Sequence, residues 1–198
     1  PQFREATIEI LRHLKTTEAV RLFVHALNDN DSSVRNDARR ALVDIGVASG
    51  DYLSHVIQQG GVRLRISTIE ILADLRQAQG SDVIRSALED KHPEVRKAAF
   101  NALALVDGDA LSILVEYLNH DDPYSRVLAC EALGDIGGPV AVPKIQPLLN
   151  DIHVPIWSTE DKPVCDTAKK ALIAIGTDEA IDAIIHWNHK SNSAIESR

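Results

Sequence analysis

The sequence predicts an all-α fold, a right-handed α-α superhelix (an α-solenoid) of about six helix-pair repeats, on three observations. An arginine recurs at Arg4, Arg35, Arg65, Arg96 and Arg126, at spacings of 31, 30, 31 and 30 residues. Around each one, small or apolar residues fall just before it and three, six and seven positions after it, offsets that line one stripe of a helix. The composition suits closely packed helices: 44% of the 198 residues are hydrophobic but only 4% aromatic.

The first copy reads Phe3-Arg4, Thr7, Ile10-Leu11, Leu14, and the second Val34-Arg35, Ala38, Ala41-Leu42, Ile45-Gly46. The third is Leu64-Arg65, Thr68, Ile71-Leu72, Leu75, the fourth Val95-Arg96, Ala99, Ala102-Leu103, Val106, and the fifth Ser125-Arg126, Ala129, Ala132-Leu133, Ile136-Gly137. A sixth, Val164-Cys165, Ala168, Ala171-Leu172, Ile175-Gly176, arrives 39 residues later and lacks the arginine. After each stripe comes a short break and a second apolar-periodic stretch: Glu18–Leu27, Asp51–Ile57, Asp82–Leu88, Asp109–Leu118, Val140–Leu149 and Glu179–Trp187. Gly46, Gly137 and Gly176 stand where a helix end calls for a left-handed residue. Polar turns such as Asn28-Asp29-Asn30-Asp31 and His120-Asp121-Asp122-Pro123 reset the chain for the next copy. Pro143 and Pro147 mark the fifth copy's second helix as kinked or short.

The expectation is therefore one repeat domain over residues 1–198, with copies near 1–29, 30–60, 61–91, 92–121, 122–151 and 152–190 and an insertion at 152–163. Pro1-Gln2-Phe3-Arg4 aligns with Pro123-Tyr124-Ser125-Arg126, and methionine is absent. A piece of a longer array is the expected origin of the chain.

Charge excludes some functions. The formal net charge is −8 and the 21 basic residues are spread along the chain, so no basic stripe is available to displace counterions from a duplex. A nucleic-acid partner is not expected. No apolar run approaches the roughly 20 residues of a membrane span. Two cysteines, Cys130 and Cys165, make no disulfide framework, which points to a reducing, cytoplasmic setting.

The turn-Arg pattern followed by A-x-x-A-L-x-x-I-G resembles the HEAT-like repeat of the phycobilisome-lyase type. It is clearest in His92-Pro93-Glu94-Val95-Arg96-Lys97-Ala98-Ala99 and in Ala129-Cys130-Glu131-Ala132-Leu133-Gly134-Asp135-Ile136-Gly137. The resemblance runs along essentially the whole chain and implies an armadillo-like solenoid. It speaks weakly to function: such proteins include subunits assisting bilin attachment to phycobiliproteins, but scaffolds and adaptors are more numerous.

Catalytic and metal readings find little support. The di-iron HEAT-like enzymes of the deoxyhypusine hydroxylase type carry repeated His-Glu dipeptides, and this sequence has none. His186 and His189 lie three apart and could share a metal, but no third ligand stands at helical spacing. There is no nucleophile elbow and no phosphate-cradling loop. Cys130 falls inside a helix as a core residue; Cys165 opens one, where the dipole could lower its thiol pKa. No catalytic residue and no cofactor is expected.

The arginine ladder reads as stitching to aspartates of the adjacent turns (Asp29, Asp31, Asp90, Asp121 or Asp122) rather than as an anion-binding row. That leaves the second-helix face, the concave side in solenoids of this kind, as the candidate surface for a protein or peptide. Superposing the copies places Arg21, Asp51, Asp82, Ser112, Pro143 and Asp182 in one row. His25, His55, Ser86, Glu116, Pro147 and His186 form the next, edged by Gln58, Glu89, Asn119 and Asn150. The insertion Ile152–Pro163 carries Trp157, which is expected to cap the end of the stack together with Val154 and Ile156, or else to anchor a partner. The candidate partner-binding residues are thus Arg21, His25, Asp51, His55, Asp82, Ser86, Glu116, Trp157, Asp182 and His186. The function expected is a non-catalytic protein-binding scaffold or adaptor. A subunit of a bilin lyase and an assembly module of a larger complex are the alternatives, and the oligomeric state is open.

Overall fold

Apolar stripes at helical spacing, broken by polar turns, fold as helix pairs throughout the described part of the chain. The computed structural model describes residues 2–11, 16–46, 50–75, 81–106, 108–157 and 162–196, with side chains omitted at 2–5, 9, 50, 51, 54 and 191–196. The helices fall into two compact units, Pro1–Asp107 and Gly108–Arg198. Unit 1 holds α1 (Gln2–Leu11), α2 (Thr17–Ala26), α3 (Ser32–Ile45), α4 (Gly50–Gln59), α5 (Val62–Leu75), α6 (Ser81–Ala87) and α7 (Pro93–Val106). Unit 2 holds α8 (Ala110–Tyr117), α9 (Pro123–Ile136), α10 (Gly138–Ile145), a 3-10 segment (Gln146–Asn150), α11 (Val164–Ile175) and α12 (Asp178–Glu196). Among the described residues there is no strand, and no helix is long and apolar enough to cross a membrane.

Within unit 1 the first helices of successive copies pack in series, α1 on α3, α3 on α5 and α5 on α7, while α2, α4 and α6 each pack on the first helix that follows. Unit 2 repeats the scheme: α9 packs on α11, α8 on α9, and α10 against both α8 and α12. This is solenoid stacking, in which a helix pair that cannot bury its stripe alone buries it against its neighbours. The stripe residues form the core: Val34, Ala38, Ala41, Leu42, Val95, Ala99, Leu103, Ala129, Leu133, Ala168 and Leu172 are all buried. Leu53, Ile84, Leu114, Ile145 and Ala180 complete it from the second helices. Copy 1 departs from the expected register. Thr7 and Ile10 are exposed and Ile8 is buried instead, so the face of α1 turned to α3 is offset by one residue.

The inter-repeat turns show why an arginine recurs. Asp29, Gly60, Asp90, His120 and Asp151 hinge the turns between copies; Asp29, Asp90 and His120 stand six residues before their arginine and Gly60 five. Each described arginine of the ladder donates from Nη1 to the hinge carbonyl of its own copy: Arg35 to Asp29 at 2.8 Å, Arg65 to Gly60 at 2.6 Å, Arg96 to Asp90 at 2.8 Å and Arg126 to His120 at 2.7 Å. These carbonyls close the preceding second helix, where backbone acceptors lack intrahelical donors. Two ladder arginines also reach the hinge aspartate of the next copy. Arg65 meets the Asp90 carboxylate at 2.9 Å, and Arg126 meets that of Asp151 at 2.7 Å. The carboxylates themselves brace the turns. Asp29, Asp90 and Asp151 accept the backbone N–H two residues on, and His120 does the same through Nδ1. The stitching expectation therefore holds for Asp90. Arg35 and Arg126 use the main-chain carbonyls of Asp29 and Asp121, and Asp151 is a carboxylate partner the sequence reading did not name. Asp31 and Asp122 instead cap α3 and α9, accepting from Ser33 and from Tyr124 and Ser125. Arg4 lies outside the described side chains.

Two glycines behave as expected. Gly46 and Gly176 have φ of 75° and 67°, which an L side chain rarely adopts. Gly137 does not: its φ is −74°, and the left-handed residue is Gly138, at 53°. Residue 137 stays helical because α10 begins at once, bringing the Ala141 methyl and the Leu133 carbonyl against the place where a Cβ would sit. α10 is short, as the prolines imply. It carries Pro143, ends at Ile145 and continues as the 3-10 segment containing Pro147.

Candidate partner-binding surface

Once the stripes are buried and the arginines bound to the turns, the second helices keep a polar outer face. Arg21 and His25 on α2, His55 on α4, Asp82 and Ser86 on α6, Glu116 on α8, and Asp182 and His186 on α12 are all exposed. So are Ser112, Pro143 and Pro147, and the edge residues Gln58, Glu89, Asn119 and Asn150. Asp51 lies on α4, but its side chain is outside the described residues. In unit 1 the Arg21 guanidinium stands 5.7 Å from the centre of the Tyr52 ring, joining α2 to α4, and α4 packs on α6. His25 also borders an apolar pocket of about 350 Å³ between α1 and α2, lined by Ile8, Leu11, Leu22 and Phe23. In unit 2 the face is continuous from α8 through α10 to α12.

The insertion is built differently from the cap expected of it. Cys165 N–H donates to the Asp151 carbonyl at 2.9 Å, and Val164 N–H to that of His153 at 3.0 Å, so the loop is pinned at its base. Beyond the base the apolar side chains point outward. Ile156 is 90% exposed, Ile152 78%, Trp157 55% and Val154 47%; Pro155 alone is buried among residues 152–157. The capping expectation is thus overturned for Val154, Ile156 and Trp157. Trp187, the other tryptophan, does cover the end copy: its Nε1–H donates to Asn150 Oδ1 at 3.1 Å and its ring lies 4.1 Å from the Lys169 ammonium. Replacing Trp157 by Ala is expected to change unfolding free energy by no more than about 0.5 kcal/mol, as for an exposed side chain. A buried cap would lose roughly 3–5 kcal/mol, so a urea titration distinguishes the two.

At the loop base sits a chain of hydrogen-bonded polar side chains. Arg126 holds one oxygen of Asp151, and the other lies 2.7 Å from His153 Nδ1. Burial pushes the Asp151 carboxyl up, but the hydrogen bonds from Arg126 and then from the His153 ring and N–H more than reverse this, holding it below the usual carboxylate range. A carboxyl lowered on folding contributes stability that is full above its unfolded pKa and disappears as the pH falls through the lowered folded value. Acid titration of wild type against Asp151→Asn should therefore show a stability gap at neutral pH that narrows in acid. A gap independent of pH would deny the ionised pairing.

Neither cysteine is activated. Burial, then Glu131 and Asp151, push the Cys130 thiol up to about 12. Cys165 is also raised, first by burial and then by Asp166, which contradicts a dipole-lowered thiol at the start of α11. Among the described residues no three His, Cys, Asp or Glu side chains are placed to hold a metal.

Next to the insertion lies what the sequence reading did not assemble. A groove of about 500 Å³ runs between the turn after α8 and the 3-10 segment, lined by Asn119, His120, Asp121, Pro147, Ile152 and His153 among others. Asn119 and Asn150 were legible as edge positions. Asp121 and His153 were not, because their convergence depends on how two turns about 30 residues apart stack.

Stacked helix pairs with an unpatterned polar face define an α-helical repeat protein. Residues 82–106, which span most of α6 and all of α7, match the HEAT repeat family. No curated protein matches the chain. Among solved structures, an engineered protein is 22% identical with a TM-score of 0.45, covering 93% of this chain and 57% of its own; the chain thus spans little more than half of that protein's length. A second engineered protein is also 22% identical (TM-score 0.40, covering 95% of this chain and 75% of its own). The complex of CpcE and CpcF of phycocyanin lyase from Nostoc sp. PCC7120 is 17% identical (TM-score 0.36, covering 95% and 89%).

Proposed function

We propose that the chain is a non-catalytic scaffold or adaptor that binds a protein partner through its second-helix face, the face expected to be concave, helped by the Trp157 loop. One observation carries this reading. The recurring residues are consumed by the fold, whereas the row residues with described side chains are exposed although nothing in the helix-pair packing requires their identities. Proteins that stack repeats use such faces as extended binding surfaces. A photo-cross-linking amino acid placed at Ser86 or Ser112 should capture discrete polypeptides that the same group at Asn101 or Glu131, exposed on first helices, does not. Capture that ignores position, or no capture from either second-helix site, would refute the reading.

The alternative is a bilin-lyase subunit, supported by the A-x-x-A-L-x-x-I-G signature at Ala129–Gly137. Covalent transfer of a bilin to an acceptor phycobiliprotein subunit, dependent on the chain, would favour it. An assembly module would announce itself by self-association in sedimentation.

A further inference from the structure

We propose that the groove between Asn119 and His153, together with the exposed tip of the insertion, is a two-part peptide site. It takes a partner segment that carries a lysine or arginine within about five residues of a bulky apolar side chain. This deepens the scaffold reading and rests on it.

The electrostatic part comes from accounting for each charge in the groove. Arg126 already has its counter-ion: Nη1 donates to two carbonyls, and Nε meets Asp151. Asp151 is balanced by Arg126 and hydrogen-bonded to His153. That leaves Asp121, exposed on the groove wall, with its carboxylate unpaired among the described residues. Glu116, exposed in the last turn of α8 and likewise unpaired among the described residues, precedes the groove wall by a few residues. The unbalanced charge of the groove is negative, so a cation is the complementary group. Asn119, which no side chain holds among the described residues, can bond the main chain of an extended segment.

The apolar part is the tip. Ile152 lines the groove and is also the first exposed apolar residue of the insertion, so the polar and apolar surfaces are continuous. Trp157 lies five residues further, at most about 17 Å from Ile152 along an extended chain, so a partner segment of a few residues can reach from the groove to the tip. Large side chains at 55–90% exposure on a loop pinned at its base are preorganised for contact rather than for burial within the chain.

The test is to pan a displayed library of random peptides, roughly twelve residues long so as to span both parts at about 3.3 Å per residue, against the whole chain. Enriched peptides should pair Lys or Arg with Leu, Ile, Phe or Trp within about five positions. A synthetic copy should bind about tenfold more weakly to Asp121→Asn and to Trp157→Ala. Raising the salt should weaken wild type more than Asp121→Asn. Enrichment of acidic or purely apolar peptides, binding indifferent to both substitutions, or no enrichment would overturn the proposal. So would a dimer that Trp157→Ala dissociates, which would assign the surface to a second copy. A Trp157-dependent fluorescence shift with phosphatidylcholine vesicles but not with the peptides would assign it to lipid. Cross-linking from Ser86 and Ser112 without this peptide preference would leave the scaffold reading standing and sink only the present one.

Discussion

Substituting Gly134 by Val should lower the melting temperature by roughly 6–12 °C, the equivalent of about 3 kcal/mol for a chain of this length. Gly134 is buried in the last turn of α9, where α11 comes close. A Cβ there would lie 2.9 Å from the Ala171 Cα and 3.1 Å from its Cβ. The first of these is backbone and cannot rotate away, so the helices must separate, and the Leu133 and Leu172 packing around the crossing would loosen with them. Gly134→Ala is the informative control. It gains about 1 kcal/mol of helix propensity, which partly offsets an overpacking cost of about 1–3 kcal/mol. A modest loss is expected, and removing the opposing methyl in Ala171→Gly should recover only part of it. A melting temperature for Gly134→Val within a degree or two of wild type would mean that α9 and α11 are not in this close contact.

The second large effect is expected at Arg126. Its side chain is 12% exposed and that of Asp151 14%. Arg126→Ala leaves that carboxylate without its cation and the carbonyls of His120 and Asp121 without their donor. Breaking one side of a largely buried pair costs about 3–5 kcal/mol, and since water can still reach the edge of this turn, about 3 is the expected loss. Arg126→Lys should recover only part, because an ammonium cannot serve the two carbonyls and the carboxylate in the fork geometry of a guanidinium. Arg39 is the contrasting case. It bonds Glu70 at 3.0 Å and Asp74 at 2.7 Å across α3 and α5, but its side chain is 37% exposed and those of its partners 45%. Arg39→Ala should cost no more than about 1 kcal/mol, since solvent screens such pairs. Chemical denaturation of the three variants side by side checks the ranking. Equal losses for Arg126→Ala and Arg39→Ala would contradict the burial argument.

The helix pairs and most of the core were legible because a stripe at offsets of three, four and seven has a single geometric solution, and five copies of it leave little room for another. The arginine ladder was also readable as structural, although its chief partners are carbonyls at the end of the preceding helix. Carboxylate partners are visible in a sequence as side chains, whereas unsatisfied main-chain acceptors are not. The left-handed glycine moved from Gly137 to Gly138 for a similar reason: the double glycine permits either, and the immediate start of α10 selects the second. In the Trp157 insertion, apolar residues near the end of an array suggest a cap. Backbone bonds from Val164 and Cys165 hold the loop base instead, with Ile156 and Trp157 facing water.

The candidate surface divides in the same way. The exposure of Arg21, His25, His55, Asp82, Ser86, Glu116, Asp182 and His186 followed from period alone, since second-helix positions off the stripe face away from the core. The groove beside the insertion did not. It is formed by Asn119, His120 and Asp121 meeting Ile152 and His153 across the stacking of two turns, and its negative balance depends on Arg126 being already bound to Asp151. The sequence by itself determined the repeat, its period and its buried stripe, because those depend on residues within one or two helical turns of each other. Only the tertiary structure decided which charges remain unpaired and which apolar side chains remain outside, because both depend on contacts between residues a full repeat apart.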